Sequence, residues 1–286
     1  MKNVINYFRV RSIAELNNLV QNHIIEGNEY YPRFNIHFRG LPNKEFALQT
    51  RIANQYNDPK IVHQKSEEIF DFFWGRVQAH NLENEFYSPA HQIGAHDRKY
   101  YLLSQAQHIG VPTLLMDWSF NWRNALYFAI DNTTFKHMSG TLWVLLRYEA
   151  QVDDEAFQFT PTAVLKPYLI NPAFDLNDLP DNYVGELRRY RQAGQFLLMP
   201  KNDCVTPLEN NIIFPWKLIN IEILPELKDE IIKLRDADVN DELINIMREY
   251  RMDFREYDNA AMYGTMNEKL KKAVNETRTK FGFPIL

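Results

Sequence analysis

Cysteine is almost missing from this chain: Cys204 is the single one in 286 residues. That excludes an internal disulfide framework and a zinc site built from cysteines. Long hydrophobic runs are missing too, since no stretch approaches the ~20 apolar residues of a membrane-spanning helix. Met1 to Tyr7 holds no apolar run of signal-peptide length, so the cytoplasm is the expected compartment. Positive charge is not in surplus: 32 Lys and Arg stand against 37 Asp and Glu, a net charge of −5. A generic phosphate-coating nucleic-acid binder normally shows the opposite balance, although a local basic patch stays open. Glycine-rich phosphate loops, the G-x-S-x-G elbow and H-E-x-x-H are all absent. His91 and His96 lie five apart with no carboxylate cluster beside them, and no metal is expected.

What is present is ordinary for a folded protein in bulk and rich in aromatics. Hydrophobic residues make up 45%, charged residues 24%, and aromatic residues 14%, with 19 Phe, 15 Tyr and 5 Trp. Ser12 and Glu15 have capping-box spacing, and Ile13, Leu16, Val20 and Ile24 follow on one helical face. Residues 33–40 alternate, with Phe34, Ile36 and Phe38 toward one side and Asn35, His37 and Arg39 toward the other. This predicts a strand that delivers a guanidinium to the rim of a sheet. Helices are expected from near Ser66, from Lys99 to His108, and from Trp122 through Ala129 with Ser119 or Asn121 as N-cap. Strands are expected at 141–146, 195–199, 211–214 and 218–224, and helix again from Pro225 onward. The expected fold class is α+β, a mixed or antiparallel sheet with flanking helices. One compact body over 1–286 is expected, with strands and a helical extension over 201–286.

Polar residues set in apolar surroundings form the motifs. Phe38-Arg39-Gly40 comes first, then Gln107-His108-Ile109-Gly110-Val111-Pro112-Thr113 with Asp117-Trp118, then Ala125-Leu126-Tyr127-Phe128-Ala129. A further block holds Arg188 and Gln192-Ala193-Gly194-Gln195-Phe196. In this order the blocks resemble the FRG domain family, over roughly residues 28–200. Leu114 stands where the family usually has Arg, and Ala193 where it often has a second Gln.

The motif order is similar to that of ADP-ribosyltransferase-like folds, and this implies NAD as substrate. On that likeness Arg39 and Gly40 hold the phosphates, Thr113 and Trp118 shape the nicotinamide pocket, and Gln192 or Glu186 supplies the later polar group. Asp117 or Glu186 is the carboxylate that stabilises a developing oxocarbenium ion. His108 joins Arg39, Asp117, Gln192 and Glu186 in the candidate catalytic set. The implied function is an ADP-ribosyltransferase or NAD glycohydrolase, as in a bacterial toxin or defence effector. Arg's planar fork suits pyrophosphate oxygens, and an indole can stack on a planar ring. The enzyme reading expects Arg39, Asp117, Trp118 and Gln192 in one concave pocket. Two other readings fit the same residues. In one, Arg188, Arg189 and Arg191 form a basic face for nucleic acid or a protein partner, without chemistry. In the other, Arg39 pairs with Asp117, His108 caps a helix end and Trp118 belongs to the core.

Overall fold

The computed structural model describes residues 3–26, 34–83, 95–130, 133–148, 168–170, 194–214, 216–237, 240, 245 and 268–286. In chain order the elements start with β1 (Val4–Val10), α1 (Ile13–Asn17, running on as a π-helix over Asn18–Glu26) and β2 (Phe34–Leu41). Next come α2 (Arg51–Tyr56), α3 (Pro59–Ala79), α4 (Ala95–His108), β3 (Leu115–Ser119) and α5 (Trp122–Ile130). β4 (Gly140–Tyr148), β5 (Tyr168–Ile170), β6 (Gly194–Leu198) and β7 (Lys217–Ile223) follow, then α6 (Pro225–Asp236) and α7 (Glu268–Lys280). The fold is α+β with a mixed sheet. The chain forms two compact units: residues 1–47, 118–154 and 214–262 make the first, and residues 48–117, 155–213 and 263–286 the second.

In the first unit the strands neighbour one another in the order β1, β7, β4, β2, β3. β1 runs parallel to β7, whereas β7–β4, β4–β2 and β2–β3 are antiparallel. One sheet face is apolar, carrying Phe38, Leu142, Val144, Leu146, Ile219, Ile221 and Ile223, all buried. α5 packs on β2 and β4 there, α6 packs on α1 and α5, and α1 packs on β1. Gly40 explains how closely α5 approaches. A Cβ at Gly40 would stand 1.8 Å from the Ala125 carbonyl oxygen and 2.7 Å from the Ala129 nitrogen. The small residues of the Ala125–Ala129 block and Gly40 therefore meet as a helix–strand contact.

The second unit is mainly helical. α3 packs against α2 and α7, and β5 pairs antiparallel with β6. Gly110 follows α4 with φ +97, the left-handed conformation that glycine adopts without strain. The Gly110 carbonyl accepts a hydrogen bond from Arg278 Nη1 of α7 at 2.5 Å.

Several local expectations change. α3 begins at Pro59 rather than Ser66, because Asp58 caps it by accepting from Lys60 and Ile61 N–H groups, with Pro at the first position. Asn211–Phe214 is a turn and not a strand. Its Asn211 side chain accepts from Ile213 N–H and donates to the Asp203 carbonyl, and Ile212 is 75% exposed. Ser12 caps α1 by accepting from Glu15 N–H, while Glu15 reaches Arg11 N–H.

Candidate functional site

The second face of the first unit's sheet is polar and aromatic. Cross-strand register puts Arg39 beside Trp143, Trp143 beside Asn220, and Asn220 beside Tyr7. On β3, Ser119 pairs with Phe38, so alternation places Trp118 on the Arg39 face. Arg39 thus lies between two tryptophans in neighbouring strands, Trp118 and Trp143, and is itself half-buried. Guanidinium planes stack readily on indoles, and the register brings both within reach of this Arg. Both indoles are nearly fully buried, Trp118 at 2% exposure, and neither Nε1 finds a hydrogen-bond partner among the described residues.

One rung along β2 stands His37, on the same face and 1% exposed. Phe120 tilts against it with ring centroids 4.9 Å apart. Burial first, and the Arg147 charge second, push the His37 pKa down to about 4. It is therefore a neutral imidazole near pH 7.

In the opposite direction along the strands, Thr141 neighbours Glu222, and Glu222 neighbours Arg9. Glu222 is buried, and burial alone would raise its pKa. Hydrogen bonds from Tyr7, Ser139 and Lys44 outweigh that and hold it at about 2. Arg9 Nε lies 3.0 Å and Lys44 Nζ 3.1 Å from its oxygens. A carboxylate so fully engaged is an anchor for β1 and for the chain leaving β2, and it has little capacity left for a ligand.

The Gln107–Thr113 motif braces itself within the second unit. Thr113 Oγ1 donates to Gln107 Oε1 at 2.7 Å, and Gln107 Nε2 donates to Asp117 Oδ2 at 2.9 Å. Thr113 Oγ1 also accepts from Leu115 N–H at 3.0 Å. One glutamine thereby ties the helix end to the strand start. His108 ends α4, buried, with its ring edge-on to Phe196 at 4.9 Å. Leu114, at the family's usual Arg position, is buried as well.

Of the expected site residues, Arg39, Gly40 and Trp118 belong to the first unit, and His108, Thr113 and Asp117 to the second. Adjacent residues leave a strand on opposite sides, so Asp117 and Trp118 project from β3 in opposite directions. Glu186 and Gln192 lie outside the described residues, as do Arg188, Arg189 and Arg191. Sequence reading passed over Trp143, Thr141 and Asn220. Their signal was present, because each stands at an alternate position of an apolar strand. Only the register shows that those positions share a face with Arg39. Among the described residues no group of three or more His, Cys, Asp or Glu could hold a metal ion, and no helix is long and apolar enough to cross a membrane.

A mixed α+β sheet with one helix-covered apolar face and one polar face built around a strand-borne Arg describes the class of fold. Residues 34–137 match the model of the FRG domain family. The matched stretch runs from β2 through α5 and contains the Phe-Arg-Gly, Gln107–Thr113, Asp117-Trp118 and Ala125–Ala129 blocks. No curated protein and no solved structure matches the chain.

Proposed function

We propose that this protein is an NAD-using enzyme, an ADP-ribosyltransferase or NAD glycohydrolase, with Arg39 as the residue that grips the dinucleotide. The observation that supports it most is the Trp118–Arg39–Trp143 row. It holds a permanently charged, planar, bidentate donor beside aromatic rings, which suits a pyrophosphate joined to planar bases. The likeness to ADP-ribosyltransferase-like folds rests on the motif order and on the early strand that carries Arg39.

In the reaction, the bond between the ribose C1′ and the nicotinamide nitrogen breaks. Its electron pair leaves with nicotinamide, which becomes neutral. Water or a nucleophilic acceptor then bonds to C1′ and gives up its proton. On the same likeness, Glu186 is the carboxylate that stabilises the oxocarbenium character of that transition state, since Asp117 leaves β3 on the side opposite Trp118.

Nicotinamide release from NAD by the purified protein tests the reading, with Arg39→Ala and Glu186→Gln compared after their folding is verified. Release that disappears in both variants supports it. A folded protein that neither binds nor cleaves NAD rejects it and favours a binding module working through Arg188, Arg189 and Arg191, which salt-dependent association would reveal.

A further inference from the structure

β1 is the outermost strand of the first unit's sheet, with β7 on one side and, among the described residues, no strand on the other. The Val10 carbonyl accepts from Leu224 N–H just beyond β7. By alternation Val10, Phe8 and Asn6 turn their backbone groups toward β7. Tyr7 and Arg9 therefore turn theirs outward, and among the described residues no backbone bond reaches them from that side.

Natural sheet edges are blunted by proline, lysine, shortness or bulges. β1 has seven residues with neither proline nor lysine, and its one irregularity, between Val4 and Asn6, leaves Asn6 to Val10 in regular register. Its side chains stand open as well, Ile5 at 43% and Tyr7 at 52% exposure. A β-favouring edge with a single charge is a template for another strand, and its own sequence fits it. Antiparallel pairing about a twofold axis at Phe8 sets Tyr7 against Arg9 of the partner subunit, with the outward backbone groups of both facing each other. Glu222 holds Arg9 Nε within its own subunit at 3.0 Å, which leaves the flat face of the guanidinium for the tyrosine ring. Phe8 meets Phe8 of the partner subunit on the other face, in the closely spaced kind of pair. An axis at Arg9 would instead oppose two guanidinium groups. An axis at Tyr7 would set Arg9 against the irregular stretch at Ile5.

We propose that β1 is a self-association edge, through which two copies of this chain pair antiparallel about Phe8 and join their sheets into one. The contact is narrow, one strand from each copy, so association in the micromolar range is expected. It is independent of the enzyme reading, because β7 and β4 stand between β1 and the strand that carries Arg39.

The test is analytical ultracentrifugation of the whole protein across micromolar concentrations, for wild type and Tyr7→Lys, with disulfide trapping of Phe8→Cys and Tyr7→Cys beside it. Wild type is expected to show a monomer–dimer equilibrium. Tyr7→Lys brings like charges together at Arg9 of the partner subunit, twice in each dimer, and is expected to raise the dissociation constant about tenfold or more. Inside its own subunit the new charge lies beside Glu222, so the fold is kept, which circular dichroism checks. Phe8→Cys is expected to cross-link under oxidation, because the twofold axis brings its two Cα atoms to about 4.5 Å. Tyr7→Cys is expected not to, since that position faces Arg9 of the partner subunit. Cys204 is buried, and wild type serves as the blank. A monomer at every concentration overturns the proposal and leaves the edge to an extended segment of another protein. A dimer that Tyr7→Lys does not weaken, or that is trapped through Tyr7→Cys and not through Phe8→Cys, overturns it as well.

Discussion

Lys228 is fully buried in α6, and its ammonium donates to the carbonyls of Pro42 at 2.6 Å and Phe135 at 3.2 Å. It fastens the chain just beyond the Phe-Arg-Gly motif. Lys228→Met keeps the bulk but leaves two carbonyls without their donor, and a loss of about 2 kcal/mol in urea unfolding is expected. Burial lowers the Lys228 pKa to about 8 from 10.5. Between those values the unfolded chain binds the proton and the folded one does not, so stability rises with pH across this window.

Two groups act at the acid end. The His37 pKa is about 4 folded against 6.5, and that of Glu222 about 2 against 4.5. In both windows the unfolded state binds the extra proton, so stability falls as pH drops from 6.5 to 4 and again from 4.5 to 2. His37→Phe is expected to abolish the upper step and leave the lower one, as measured by denaturation midpoints from pH 7 to 2.

At the scale of elements, the β2–α5 contact is the tightest feature of the motif region. Gly40→Ala forces a methyl group into the Ala125 carbonyl and is expected to cost about 3 kcal/mol or more, read by chemical denaturation. Helix and strand move apart together in that variant, and Arg39 moves with them.

Elements with a clean period were legible in the sequence. β2, α5 and β7 each follow one periodicity, and β4 stands out as a near-continuous apolar run. β1 was not, because it is an edge strand with Ile5 and Tyr7 largely exposed, so its alternation carries no inside–outside contrast. α2 spans only six residues and shows no stripe. The Asn-Ile-Ile-Phe run at 211–214 imitates a strand, but Asn211 uses its side chain to make the turn and leaves both isoleucines exposed.

Over the whole molecule, the family motifs fall into both units, and they do different work there. In the second unit Gln107, Thr113 and Asp117 form a closed hydrogen-bonded brace. Beside it Arg278, buried, ties α7 to the Gly110 carbonyl and to that of Pro284. Arg278→Ala removes both ties and is expected to lower stability by about 2–3 kcal/mol, with amide exchange rising first in residues 281–286.

In the first unit the motifs supply Arg39 and Trp118, and the rest of their company comes from strands beyond the matched segment, namely Trp143 and Thr141 on β4 and Asn220 on β7. A one-dimensional reading finds Arg39 from its Phe-Arg-Gly setting. It cannot find the neighbours, since register between distant strands is not written locally.

The measurement closest to the central claim is nicotinamide release from NAD by wild type, Arg39→Lys and Arg39→Ala, with circular dichroism confirming that each is folded. If Arg39 grips the pyrophosphate through its fork, Lys keeps the charge but loses the geometry. Release should then fall about tenfold or more in Arg39→Lys and to background in Arg39→Ala. Equal release by all three folded proteins, or none by wild type, would contradict the account.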